Sequence, residues 1–169
     1  LCLAAKMRNI KIFLLEPNMI IGRANRFFLN FCEKIICYDS NIIGFPDKFQ
    51  NKLKISHPLI RKKYFDMNYK VNVDRIFTII IIGGSQGAKI FDEIVHESIL
   101  KISKIKPLKI IHQTNKKNIN FLKKFYTDNK IENIIFDFDE NLNVLLEQAD
   151  LCITRAGASS LAEISLLNI

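Results

Sequence analysis

The sequence predicts an α/β fold of Rossmann-like parallel sheets with flanking helices, and three observations carry that expectation. Residues 76–82, IFTIIII, are a nearly unbroken β-branched run without polar alternation, as expected of a strand buried on both faces of a parallel sheet. The run ends at Gly83 and Gly84 and leads into Ile90, Phe91, Ile94, Val95, Ile99 and Ile102, an apolar stripe of helical period that would face the sheet. From there to the last residue, strand-like and helix-like segments alternate, the order that builds a parallel sheet with covering helices.

Taken in chain order, Ile10 to Leu15 reads as a strand, Glu16-Pro17-Asn18 as a turn, Arg23 to Phe31 as a helix and Lys34 to Tyr38 as a second short strand. Residues 39–58 carry Gly44, Pro46 and Pro58 among polar residues and no helical stripe, so irregular structure is expected there. A boundary falls between residues 57 and 75. The domains expected are residues 1–60, a linker over 61–74, and residues 75–169. Beyond the glycine turn the expected elements are a helix to Ser103, a strand over Lys109 to His112, a helix over Lys117 to Tyr126 and a strand over Ile134 to Phe138. A helix over Leu142 to Gln148, a strand over Leu151 to Thr154 and a final amphipathic helix complete the series. No internal repeat and no low-complexity tract interrupts it. The chain begins with Leu and ends close to a helix, so both domains are expected to be incomplete pieces of something longer.

Composition narrows the function classes. With 169 residues, 49% of them hydrophobic and 25% charged, the chain is an ordinary globular sequence and not a disordered one. Cys2, Cys32, Cys37 and Cys152 have neither CxxC spacing nor a histidine cluster, and read as buried reduced thiols. No apolar run reaches the roughly 18 residues of a membrane span, and Leu1 to Ala5 has no cleavage site behind it. The net charge of +8 invites a polyanion. The lysines are spread along the whole chain with heavy Ile and Asn usage, and no aromatic-basic interleaving marks a nucleic-acid surface, so no nucleic-acid partner is expected. Attraction to an anionic membrane surface fits the charge better.

Two strand-to-helix turns carry the chemistry. In GGSQGA, residues 83–88, the glycines allow close approach of backbone to an anion, Ser85 and Gln86 can donate hydrogen bonds, and the helix that follows presents its positive end. The motif is neither GxGxxG nor a P-loop, and on its own it also reads as a tight turn without a ligand. In TRAGASSLAEI, residues 154–164, a strand ends at Thr154 and a loop through Gly157 leads to Ser160 and Glu163, whose S-x-x-E spacing is that of a capping box. Two such turns in one sheet can converge on a diphosphate and leave a carboxylate for sugar hydroxyls. No metal or other cofactor is implied, because helix N-termini can neutralise a leaving diphosphate and no Asp-x-Asp pair flanks the turns.

The order GGSQGA, IHQT, an FDxxxN-like segment and then ADLCITRAGASSLAEIS resembles the MurG family, the transferases that move N-acetylglucosamine from its UDP donor to the muramyl 4-hydroxyl of lipid I. Upstream, LEPNMIIGRANRFF is similar to the family's HEQN segment and the helix after it, so the likeness spans nearly the whole chain. The resemblance implies a GT-B type fold, with residues 1–60 the tail of the acceptor-side domain and residues 75–169 a donor domain truncated at its C-terminus. It implies inverting transfer that forms lipid II in peptidoglycan synthesis, by a peripheral protein on the cytoplasmic face of the bacterial inner membrane. Its partners would be UDP-N-acetylglucosamine, lipid I and an anionic membrane surface. Residue by residue, it implies that Ser85, with Gln86 beside it, contacts the diphosphate and that Glu163 holds the ribose hydroxyls. Ala158, Ser159, Ser160, Leu161 and Ala162 would form the turn around the nucleotide. Asn18 would face the sugar, Arg61 would stand near the diphosphate, and Asp139 would lie on the uracil side through its backbone.

This sequence also departs from the family pattern. The HEQN segment reads Leu15-Glu16-Pro17-Asn18, GNPVR reads SHPLIR with Arg61 one residue late, and HQTG reads HQTN. The family's glycine-rich acceptor loop with its candidate base is absent, so no catalytic base is assigned. Ser85 and Glu163 also fit plain capping roles, His96 a surface position, His112 a hydrogen-bonded structural position, and Arg155 a solvated loop. The alternatives to an active transferase are a non-catalytic remnant with residual UDP binding and another GT-B nucleotide-sugar transferase.

Overall fold

A computed structural model describes residues 1–65, 75–83, 89–155 and 157–169. The chain divides into two compact units, Leu1–Leu59 and Ile60–Ile169.

The first unit holds α1 (Cys2–Met7), β1 (Phe13–Glu16), α2 (Arg23–Phe28), β2 (Lys34–Cys37), a 3-10 turn (Asp47–Lys52) and β3 (Leu53–Ile55). Its strands lie in the order β1-β2-β3, all parallel, with Leu14 opposite Ile35 and Ile36 opposite Lys54. Strand periodicity sends Leu14, Ile35 and Cys37 into a core with Ile12, Ile21, Leu29, Cys32, Ile42 and Phe45. Phe13 and Leu15, on the opposite face of β1, are exposed. The β1-α2-β2 unit matches the sequence reading. The expectation of irregular structure over 39–58 is corrected in part, because Leu53–Ile55 pairs with β2. The helix α1 also went unread. Both elements are too short to show a period.

The second unit holds β4 (Phe77–Ile82), α3 (Lys89–Ser103), β5 (Leu108–Gln113), α4 (Ile119–Asp128), β6 (Glu132–Phe136), α5 (Leu142–Glu147), β7 (Leu151–Thr154) and α6 (Ala158–Leu166). Its four strands are parallel in the order β6-β5-β4-β7. β4 is central, and its alternate residues feed two cores. Ile79 and Ile81 pack with Ile99, Ile110, Leu122 and Tyr126 of α3, β5 and α4. Ile80 and Ile82 pack with Ile111, Leu146, Ile164 and Leu167 toward α5 and α6. A strand with apolar side chains on both faces must be an Ile run without alternation, which is what the sequence holds.

The order of the strands fixes where a ligand can sit. The chain steps outward from β4 to β5 and β6, then returns to the other side of β4 with β7. The direction of winding therefore reverses between β4 and β7. Open α/β sheets bind ligands at the carboxyl ends of the strands at such a reversal. Ile82 is directly opposite Thr154, so the segments that follow both strands start side by side.

The stripe read on α3 needs a correction. Ile90 and Ile94 are 57% and 58% exposed, and Ile102 is also exposed. The buried face runs through Phe91, Val95 and Ile99, at four-residue spacing, with Asp92 beside it. Tyr64, in the segment read as a linker, is buried in the core of the second unit.

Candidate functional site

The carboxyl ends of β4 and β7 lie side by side, Gly83 following one strand and Arg155 the other. Ser85 and Gln86 lie outside the described residues, as does Ala156. On the β7 side, Gly157 takes an extended conformation as the N-cap of α6, and its N–H donates to the Arg155 carbonyl at 2.7 Å. Ala158, Ser159, Ser160, Leu161 and Ala162 form the first turns of α6, with Ser159 and Leu161 exposed. Arg155 is exposed at the mouth of this turn.

The capping box is corrected by the structure. The helix starts at Ala158, two residues before Ser160, and no side chain caps it. Ser160 is therefore already helical, and Glu163 is free to point elsewhere. The residue is 7% exposed, and its carboxylate is held by Arg61, whose Nε donates to Oε1 and whose Nη2 donates to Oε2, both at 2.7 Å. Arg61 Nη2 also donates to the Tyr64 hydroxyl at 2.9 Å, and the guanidinium lies over the Tyr64 ring. The bond to Glu163 pushes the Arg61 pKa up, and burial, with the Glu163 carboxylate nearby, pushes the Tyr64 hydroxyl up to about 12. Arg61 and Glu163, read separately from the sequence, are thus brought together, and Tyr64 is a third member that sequence reasoning missed. A bidentate pair takes one lone pair from each carboxylate oxygen and leaves the others able to accept hydroxyl groups.

Asp139 uses its carboxylate locally, accepting from the Asn141 N–H at 2.6 Å at the start of α5. Beside it, Lys63 Nζ donates to the Glu140 carbonyl.

Asn18 belongs to the first unit, and its surroundings reveal an organiser that went unread. Glu16, at the carboxyl end of β1, is 2% exposed. Its Oε1 accepts from Asn18 Nδ2 at 3.0 Å, and its Oε2 accepts from Gly22 N at 2.7 Å and Asn25 Nδ2 at 3.0 Å. Burial works to raise the carboxyl pKa, but the donors from Gly22, Asn25 and Asn18 outweigh it and hold the group below its ordinary value. A Cβ on Gly22 would stand 3.2 Å from Oε2, so the close approach of loop and carboxylate suits glycine. Glu16 therefore fixes the loop that presents Asn18. The signal available in the sequence was a charged residue at an inward-facing strand position.

His96, read as a surface position, is half-buried against aromatic rings, and His112 is fully buried. His96 Nδ1 lies 2.7 Å from the Asp92 carbonyl, and its ring meets Phe121 and Phe125 edge-on. His112 has Nδ1 at 3.2 Å from the Tyr126 hydroxyl, and burial pushes its pKa down so that it is neutral.

A model of the glycosyltransferase family 28 C-terminal domain matches residues 78–169. The UDP-N-acetylglucosamine-N-acetylmuramyl-(pentapeptide) pyrophosphoryl-undecaprenol N-acetylglucosamine transferase of Pelagibacter ubique is 48% identical over 166 residues, covering 98% of this chain and 46% of that protein. The protein of the same name from Rickettsia canadensis is 33% identical, covering 98% of this chain and 48% of the relative. The chain thus spans about half the length of the curated relatives it matches. Among solved structures, MurG of Acinetobacter baumannii superposes with a TM-score of 0.65 at 24% identity, over 93% of this chain and 43% of that one. That likeness speaks to the fold.

Proposed function

We infer that this chain, which belongs to the MurG family of glycosyltransferases, carries the UDP-binding part of an N-acetylglucosaminyltransferase. One observation carries the reading most: the strand order reverses between β4 and β7, where the register sets Ile82 against Thr154. The GGSQGA segment and the N-terminus of α6 therefore start from adjacent points, as two arms around a diphosphate require. Glu163, 7% exposed and inside the first turns of α6, is the carboxylate for the ribose hydroxyls. Ser85 and Gln86 serve the diphosphate, Arg61 supplies a cation near it, and Asp139 lends its backbone to the uracil side. In the whole enzyme, of GT-B type, the acceptor is lipid I, with Asn18 presented by Glu16 toward the sugar. The products are lipid II and UDP, by inversion. The basic chain works at an anionic membrane surface, on the cytoplasmic face of the inner membrane.

A non-catalytic relative with residual UDP binding is the second reading. It is favoured by the engagement of both Glu163 oxygens with Arg61 at 2.7 Å.

The test is calorimetric titration of the chain with UDP and UDP-N-acetylglucosamine, beside Ser85→Ala and Glu163→Ala. Saturable binding that each substitution weakens about tenfold or more, with the fold intact by circular dichroism, is the expected outcome, since each removes a hydrogen bond to a charged or buried group. A folded chain that takes up neither ligand would overturn the donor-binding reading.

A further inference from the structure

A polar knot is buried in the α3–α4 side of the second unit, in the layer that also holds Ile81, Ile99 and Leu122. At its centre is Asp92, in the first turn of α3 and 5% exposed. Its Oδ2 accepts from Thr114 Oγ1 and from Asn118 Nδ2, both at 2.7 Å. Its Oδ1 lies 3.3 Å from Nε2 of His112, close but off the hydrogen-bonding line. Thr114 directly follows β5, and its N–H donates to the Phe136 carbonyl at the end of β6. Asn118 is the residue before α4. One carboxylate therefore ties the first turn of α3 to the carboxyl ends of β5 and β6 and to the start of α4.

Position and chemistry both argue that this is more than packing. A buried carboxylate costs more to desolvate than an apolar side chain of the same size, so it is a poor way to gain stability alone. The two short hydrogen bonds into Oδ2 impose one geometry where apolar contacts tolerate several. The knot also sits at the carboxyl end of the sheet, where open α/β folds bind ligands, while Leu108 and Ile131, toward the opposite end, belong to the apolar core. We propose that Asp92 is a positioning residue, which through Thr114 and Asn118 sets the height and rotation of the first turn of α3 so that its N-terminal end is aimed at the donor diphosphate. The proposal rests on the donor-binding reading above, and its test separates the two.

Asp92→Ala, Asp92→Asn and Thr114→Val are titrated with UDP and with uridine. Asp92→Ala is expected to weaken UDP at least tenfold while uridine changes less than threefold, because only the diphosphate meets the start of α3. Asp92→Asn, which keeps an acceptor for Thr114 and Asn118, recovers most of the UDP affinity. Thr114→Val, close to isosteric, shows a smaller loss of the same kind and stands in should Asp92→Ala fail to fold. Equal losses of UDP and uridine, or none, overturn the proposal. If the unsubstituted chain takes up no UDP, the donor-binding reading has failed, and the positioning claim is read from amide hydrogen exchange. Exchange is expected to quicken at residues 90–93 in Asp92→Ala and to return in Asp92→Asn, with residues 99–103 unchanged. Unaltered exchange at 90–93 overturns it.

Discussion

Arg61 and Glu163 are 102 residues apart in sequence and meet as a two-pronged ion pair, one partner 56% exposed and the other 9%. The asymmetry decides the cost of breaking it. Removing Arg61 leaves a nearly buried carboxylate with its charge uncompensated, although solvent on the arginine side softens the penalty. Arg61→Ala is expected to destabilise the second unit by about 1–2 kcal/mol in urea unfolding, and Arg61→Lys by less than that. A midpoint unchanged in Arg61→Ala would show that the pair contributes nothing to folding. Nothing in the local sequence announces this pairing. S-x-x-E predicts a capping box from four residues, and the partner that wins Glu163 comes from a different stretch of chain. Glu16 was equally hidden, because its acceptor role depends on where Gly22 and Asn25 fold back.

Elements were legible in proportion to how fully one environment dictates them. β4 was readable because both its faces are buried, so every position from Thr78 to Ile82 obeys one rule. β3 was not, because three residues hold no period and only pairing with β2 makes Leu53–Ile55 a strand. The end of α3 at Ser103 was read correctly, and so were Phe91, Val95 and Ile99 on its packed face, but the stripe was drawn too wide, because Ile90, Ile94 and Ile102 are apolar and exposed. Ile94 and Ile99 discriminate the broad stripe from the packed one. Ile99→Ala, at 1% exposure, should cost about 2–4 kcal/mol, while Ile94→Ala, at 58%, should stay within about 0.5 kcal/mol of the parent. Chemical denaturation of the two variants side by side measures it, and equal losses would mean that the broad stripe is the packed one.

At the scale of the whole chain the two units are unequal. Leu1–Leu59 gathers one small core under one face of a three-stranded sheet, with Phe13 and Leu15 57% and 40% exposed on the other face. Parallel sheets are ordinarily covered on both faces, and a unit this short buries a small fraction of its surface. The second unit fills both faces of its sheet. Scanning calorimetry should accordingly resolve two transitions, the first unit melting at lower temperature, and UDP should raise only the upper one. A single transition with equal calorimetric and van't Hoff enthalpies would contradict this. No helix among the described residues is long and apolar enough to cross a membrane. The reversal between β4 and β7 has a kinetic side as well. Thr78 donates its N–H to Asp150 across 72 residues of chain, so the last strand can dock on β4 only after everything between them has been made. Helices α3 and α4 can form from local contacts while the ribosome is still adding residues, but the paired carboxyl ends of β4 and β7 cannot stand until residue 154 has emerged. On the proposed donor-binding role, acquisition of nucleotide affinity should coincide with the slowest, most non-local step of folding, and a nascent chain arrested before β7 would be helical, partly collapsed and unable to bind.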